Sequence, residues 1–183
     1  GEGHPEIEAA KILGAKVRSY PQALGDLTKG HFTIAVTGTH GKSTTTSMLG
    51  LLLEKAGLDP TVIVGTKLKE FGDSNFRAGS SKYLVIEACE HMESFLNYWP
   101  KIIVLTTIEA DHLDFYKNME RLLEGFKKFI FHLPDEGILV ANKDNPDIVQ
   151  LLEKKDFNRK IVYFSLEDKE GKRMKKSLSV PGE

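Results

Sequence analysis

Phe32-Thr-Ile-Ala-Val-Thr-Gly-Thr-His-Gly-Lys-Ser-Thr-Thr-Thr46 is the stretch on which the reading of the chain turns. It opens with apolar and β-branched residues, the composition of a buried strand. Gly38 and Gly41 punctuate a polar loop, and Lys42, Ser43 and further hydroxyl residues follow. Next comes Met48-Leu-Gly-Leu-Leu-Leu-Glu-Lys-Ala-Gly57, in which Met48, Leu49, Leu52, Leu53 and Ala56 are spaced as one helix face and Gly57 is placed as the stop. Strand, glycine loop and helix in that order make a phosphate cradle. The N–H groups of Gly38, Thr39, His40, Gly41 and Lys42 are expected to point at phosphate oxygens, at the positive end of the helix dipole that Ser43 and Thr44 begin. Lys42 would reach the terminal phosphates, and the Ser43 hydroxyl would help hold Mg²⁺. The full pattern G-x-x-x-x-G-K-[ST] asks for glycine at position 36, where this chain has Val36. Gly41-Lys42-Ser43 and the strand–helix context remain, and they predict a nucleotide site.

Outward from this stretch, strand-like and helix-like segments alternate. Thr61–Val64, Ser81–Ala88, Lys101–Thr106, Gly137–Ala141 and Lys160–Ser165 are short continuous apolar runs, as strands buried on both faces require. Between them, Met119–Leu133 places Met119, Leu122, Leu123, Phe126, Phe129 and Ile130 on one helix face, and Asn145–Lys155 reads as a helix with Pro146 in its first turn. The fold class predicted is α/β, a mostly parallel sheet flanked by helices. Glu167–Val180, with a Glu170-Gly171 turn and many lysines, reads as an edge hairpin. Ahead of the loop, His4–Gly14 and Tyr20–Lys29 read as helices and Lys16–Ser19 as a short strand. Residues 1–30 bury too little to be a domain and are expected to be the tail of a preceding one, with residues 31–183 as the nucleotide-binding domain.

The 183 residues give room for one sizeable core. Lys+Arg 25 against Asp+Glu 26 leaves a net charge of −1, so no global field favours nucleic acid or an anionic membrane. With Cys89 the single cysteine, no intrachain disulfide can form. No apolar run reaches the length of a membrane span, and a cytoplasmic protein is expected. The chain opens at Gly1 without an initiator Met and reads as a fragment.

In open α/β sheets the chemistry lies beyond the carboxyl ends of the strands. Glu87 ends one strand and offers a hard oxygen ligand for Mg²⁺. His112 follows Glu109 and Asp111 just past another strand. As an imidazole it is not a preferred Mg²⁺ partner, so chemistry alone leaves its role open. His40 would either touch phosphate or shape the turn. Cys89 reads as a small packing residue, while Glu90 and His91 would orient the surroundings of Glu87 or cap the next helix. Asn142-Lys143-Asp144 superficially matches the N-K-x-D base-reading motif of GTP-binding proteins, but Asp144 stands one residue early, and a turn before a Pro-started helix suffices.

Three motifs then coincide in order: Thr37-Gly-Thr-His-Gly-Lys-Ser-Thr-Thr-Thr46, Glu87-Ala-Cys-Glu90 and Ile108-Glu-Ala-Asp-His-Leu-Asp114. Together they resemble the central ATP-binding domain of the Mur ligases, over about residues 30–183, in the branch that adds L-alanine to UDP-N-acetylmuramate. The resemblance implies an ATP-dependent carboxylate–amine ligase of peptidoglycan precursor synthesis that works through an acyl phosphate. Its cofactors would be ATP and Mg²⁺, and its partners UDP-N-acetylmuramate and L-alanine. Lys42, Glu87 and His112 would be the catalytic set, with Ser43, Glu87 and His112 around the metal. Thr107 stands where the family often has Asn. The chain stops at Val180-Pro-Gly-Glu183, ahead of the segment that helps hold adenine in the family and of the C-terminal domain that brings the amino acid. A murein-tripeptide recycling ligase, the related folylpolyglutamate synthetase, a small-molecule kinase and a catalytically silent nucleotide-binding module remain alternative readings.

Overall fold

A computed structural model describes residues 3–110, 113–153 and 157–166. At its centre lies β1 (Phe32–Thr37), whose residues are buried from Thr33 onward. It pairs in parallel with β4 (Tyr83–Glu87) on one side and β5 (Ile102–Leu105) on the other. Beyond β4 lies β2 (Thr61–Leu68), and beyond β5 lie β6 (Ile138–Asn142) and β7 (Lys160–Phe164), all parallel. The short β3 (Ser74–Arg77) closes the far edge antiparallel to β2, giving the order β3-β2-β4-β1-β5-β6-β7. Most of the runs that were continuous in sequence are inner strands, as burial on both faces demands. Lys160–Ser165 is corrected: it forms the edge strand β7, largely exposed because no strand pairs beyond it among the described residues.

The helices are α1 (Pro5–Ile12), α2 (Tyr20–Lys29), α3 (Lys42–Lys55), α4 (Leu113–Tyr116), α5 (Met119–Ile130) and α6 (Pro146–Leu152). On α5 the expected face is the buried one: Leu122, Phe126, Phe129 and Ile130 pack into the core. Phe95, from a 3-10 stretch at His91–Asn97, stacks on Phe129 at 4.6 Å and meets Phe126 edge-on at 5.5 Å. These rings lie in one cluster with Leu84, Ile86, Ile103, Leu105 and Leu139 of the sheet.

Several local expectations are corrected. On α3 the fully buried positions are Thr46 and Gly50, while Met48 and Leu52 stand 57% and 62% exposed. The cause is close approach: a Cβ on Gly50 would lie 2.9 Å from a Val62 methyl, so the helix sits too near β2 for a leucine to face it. Strand β2 runs on to Leu68 and turns through Gly72 into β3, a polar strand with no apolar run to announce it. Arg77 pins that edge, reaching Asp59 at 2.8 Å, Glu54 at 3.0 Å and the Pro60 carbonyl at 2.7 Å. Lys16–Ser19 is not a strand; Ser19 instead caps α2 in a reciprocal box with Gln22. The hairpin expected over 167–180 lies outside the described residues. Among the described residues no helix is long and apolar enough to cross a membrane.

Candidate functional site

The two neighbours of β1 in the sheet come from later in the chain, so the loops after β4 and β5 both converge on the loop after β1. Gly38 leaves the strand at φ +132, and a Cβ there would lie 2.2 Å from the Thr106 hydroxyl and 2.7 Å from the Thr107 carbonyl. Only glycine permits that contact at that φ. Gly41, at φ +81, forms the left-handed N-cap of α3.

Thr106 and Thr107 bind the loop from the side. Thr39 N–H donates to the Thr107 carbonyl at 2.8 Å, and His40 N–H donates to the Thr107 hydroxyl at 3.0 Å. The Thr106 hydroxyl lies 2.6 Å from the His40 carbonyl and 3.1 Å from that of Thr37. Two of the five N–H groups expected to face phosphate are therefore engaged with Thr107 instead. The threonine at the position where asparagine was expected still supplies a side-chain contact. His40 shapes the loop rim, its ring 3.5 Å from the Glu109 carboxylate, and both side chains are exposed.

Lys42 Nζ donates to the Gly38 carbonyl at 2.6 Å and the Thr39 carbonyl at 3.0 Å. It also lies 3.2 and 3.0 Å from the two carboxylate oxygens of Glu90. The Ser43 hydroxyl donates to Glu87 Oε1 at 3.1 Å, and Gly65 N–H fixes Glu87 Oε2 at 2.6 Å. Ser43 and Glu87 thus place two hard oxygens side by side at the start of α3, a donor set that fits Mg²⁺. The loop residues Gly38–Thr44 and Glu87 come together as the sequence suggested. His112 and Asp111 lie outside the described residues, and among the described residues no cluster of three or more His, Cys, Asp or Glu is placed to hold a metal.

Glu90 was the residue whose part the sequence did not give. Its side chain makes no capping bond to the 3-10 stretch and reaches Lys42 instead. Three residues beyond Glu87, it was legible only as an acid in the right neighbourhood. Cys89 is half-buried, and burial pushes its thiol pKa up, which suits a packing role. Asn142 and Asp144 glue the turn: Asn142 donates to the Thr106 carbonyl at 2.9 Å, and Asp144 accepts from Leu166 N–H at 2.6 Å. That is a scaffold role in place of base reading.

Two clefts flank the loop. One of about 570 Å³ runs from His40 and Gly41 past Thr106 to Val140 and Phe164. The other, about 210 Å³, opens on the opposite side between Tyr20 and Leu24 of α2 and Ile63, Glu87 and Cys89.

With this geometry the comparisons agree. Residues 36–180 match the model of the Mur ligase middle domain. Over 167 residues the chain is 46% identical to a UDP-N-acetylmuramate–L-alanine ligase of Caldicellulosiruptor saccharolyticus, covering 91% of this chain and 36% of that protein. It therefore spans about a third of that relative's length. Among solved structures it resembles the UDP-N-acetylmuramate:L-alanyl-gamma-D-glutamyl-meso-diaminopimelate ligase from Neisseria meningitides (29% identity, TM-score 0.75, 90% of this chain and 55% of that one). It also resembles the UDP-N-acetylmuramate-alanine ligase from Thermotoga maritima (25% identity, TM-score 0.73, 92% of this chain and 37% of that one). Because that model matches residues 36–180, most of the sequence, and the alanine ligase relative is 46% identical over nearly the whole of it, the chain belongs to the Mur ligases, as their middle domain.

Proposed function

We propose that this chain is the ATP-binding part of a cytoplasmic ligase that joins L-alanine to UDP-N-acetylmuramate. The observation that carries the reading is the grouping of Lys42, Ser43 and Glu87 at the mouth of the loop, with the donors and distances given above. The relative at 46% identity supports the choice of alanine as the amino acid.

In this reading the loop's free N–H donors and the N-terminus of α3 receive the β- and γ-phosphates of ATP. Lys42 turns from the carbonyls of Gly38 and Thr39 toward the terminal phosphates. Ser43 and Glu87 would hold Mg²⁺, which when bound neutralises phosphate charge. The smaller cleft opens on Glu87 and gives a substrate carboxylate a path to the γ-phosphate. Transfer of the γ-phosphoryl group to that carboxylate, with ADP leaving, would give an acyl phosphate; the amine would then attack its acyl carbon, form the amide and release inorganic phosphate. The chain's contribution is positioning and charge, the main requirement of phosphoryl transfer. We extend the assignment to His112, because the motif Ile108–Asp114 that carries it resembles the Mur ligase motif, as a further group near the metal.

Thermal unfolding with and without Mg–ATP tests the loop. A ligand at 100 times its Kd adds about 2.7 kcal/mol, a rise of about 5–10 °C for a chain of this size. The rise is expected in the wild type and absent in Lys42→Ala; an equal rise in both refutes the role given to Lys42. For the intact protein, phosphate release from ATP should require both UDP-N-acetylmuramate and L-alanine. Release that needs a tripeptide in place of L-alanine assigns a recycling ligase, and release without any amine assigns a kinase or hydrolase.

A further inference from the structure

We propose that Glu90 is the positioning residue for Lys42, a fixed counter-charge that sets where the ammonium meets the nucleotide. The inference rests on the reading that the loop binds Mg–ATP. A lysine is a point charge on a flexible four-carbon stem and needs outside contacts to hold one place. Two of the contacts Lys42 makes, the carbonyls of Gly38 and Thr39, belong to its own loop and move with it. Glu90 is different, because it comes from the turn after β4 and so refers the ammonium to the body of the sheet.

Both carboxylate oxygens lie within 3.2 Å of Nζ, and the carboxylate is 1% exposed against 12% for Lys42. A carboxylate so buried holds a cation strongly, since leaving the charge uncompensated there is costly.

The turn that delivers Glu90 is held from four sides. Ala88 N–H donates to the Val36 carbonyl at 2.8 Å, and the Thr37 hydroxyl donates to the Ala88 carbonyl at 2.8 Å. The Glu90 carbonyl accepts from Glu93 N–H at 2.9 Å and from the Tyr116 hydroxyl at 2.5 Å. Just after it, Met92 and Glu93 both sit at φ +53, a left-handed conformation that non-glycine residues hold only where the surroundings impose it.

The test is the rate at which a water-soluble N-hydroxysuccinimide acetate acylates Lys42, resolved by peptide mass spectrometry on the 183-residue chain with Lys55 as internal reference. Glu90→Gln keeps the shape and removes the charge, and should speed acylation of Lys42 about tenfold or more, the equivalent of one lost charge-assisted bond. Glu90→Asp keeps the charge and should return most of the slow rate. An unchanged rate in Glu90→Gln overturns the proposal, and so does equal acceleration in Glu90→Asp, which would mark general loosening. The thermal midpoints of Lys42→Met, Glu90→Gln and the double variant give a label-free check. Less-than-additive losses support the coupling and additive losses overturn it. Mg–ATP should itself slow acylation of Lys42 in the wild type. Failure of that protection alone refutes the nucleotide reading of the loop, while the rate difference between variants still decides the part played by Glu90.

Discussion

Replacing Gly38 by alanine should do two separable things. The new Cβ would sit 2.2 Å from the Thr106 hydroxyl and 2.7–2.8 Å from the Thr107 backbone, and those atoms cannot all yield because they are the clamp that holds Thr39 and His40. Overpacking of this kind costs about 1–3 kcal/mol. Holding a non-glycine residue at φ +132 adds about 1–3 kcal/mol more. The total, about 2–6 kcal/mol, corresponds to a midpoint lowered by roughly 4–24 °C. Gly57→Ala is the matched control. Gly57 closes α3 at φ +76 in a Schellman turn, with Leu58 N–H on the Leu53 carbonyl, and an added Cβ there meets nothing within 4 Å. It should lose about 1 kcal/mol, or about 2–4 °C, from conformation alone. Differential scanning fluorimetry with and without Mg–ATP reads both effects. Gly57→Ala should retain the ligand-induced rise and Gly38→Ala should lose it. If Gly38→Ala melts within about 2 °C of the wild type and keeps the rise, the close approach of loop and Thr106–Thr107 is wrong.

Two further expectations concern the scaffold. The hydroxyl and N–H of Ser80, together with the Arg77 guanidinium, hold the Asp59 pKa at about 2, against the ordinary 3.8. Its folded pKa is the lower one, so its stabilisation is complete above about pH 4 and disappears as the pH falls through about 2. Asp59→Asn should therefore melt below the wild type at pH 6, with the gap narrowing between pH 4 and 2; a gap independent of pH refutes the assignment. Phe95→Ala should cost about 3–5 kcal/mol, or about 6–20 °C, because the ring is fully buried between Phe126 and Phe129. A loss below about 4 °C would show that the site collapses easily.

The parts of the molecule that were legible share one property: a local pattern that burial alone can enforce. The core strands β1, β4, β5 and β6 are unbroken apolar runs, and α5 repeats its large residues every three or four positions, so sequence and structure agree there. The loop was legible because glycine and Gly-Lys-Ser have backbone and charge requirements that no other residues meet. Legibility failed where a partner far along the chain decides the outcome. On α3 the leucines set a face by spacing, but proximity to Val62 selects Gly50 and rotates Met48 and Leu52 outward. Strand β3 exists because Arg77 reaches Glu54 and Asp59, which no periodicity in Ser74–Arg77 reveals. The pairing of Glu90 with Lys42 and the use of Thr39 and His40 N–H groups by Thr107 are likewise products of three strand ends meeting.

The placing of β1 between two later strands also has a consequence in time. The bonds that shape its loop span 48 residues from Lys42 to Glu90, 51 from Thr37 to Ala88, 67 from His40 to Thr107 and 70 from Thr39 to Glu109. None of them can close until the distant partner has been synthesised, and such non-local closures come late in folding. At about 5–20 residues per second, a nascent chain that already carries the whole of Phe32–Lys55 waits roughly 3–11 s for the chain to reach Glu109, the last of the residues that give the loop its form. Through that interval the glycines, the lysine and the serine are all present, and the site does not yet exist.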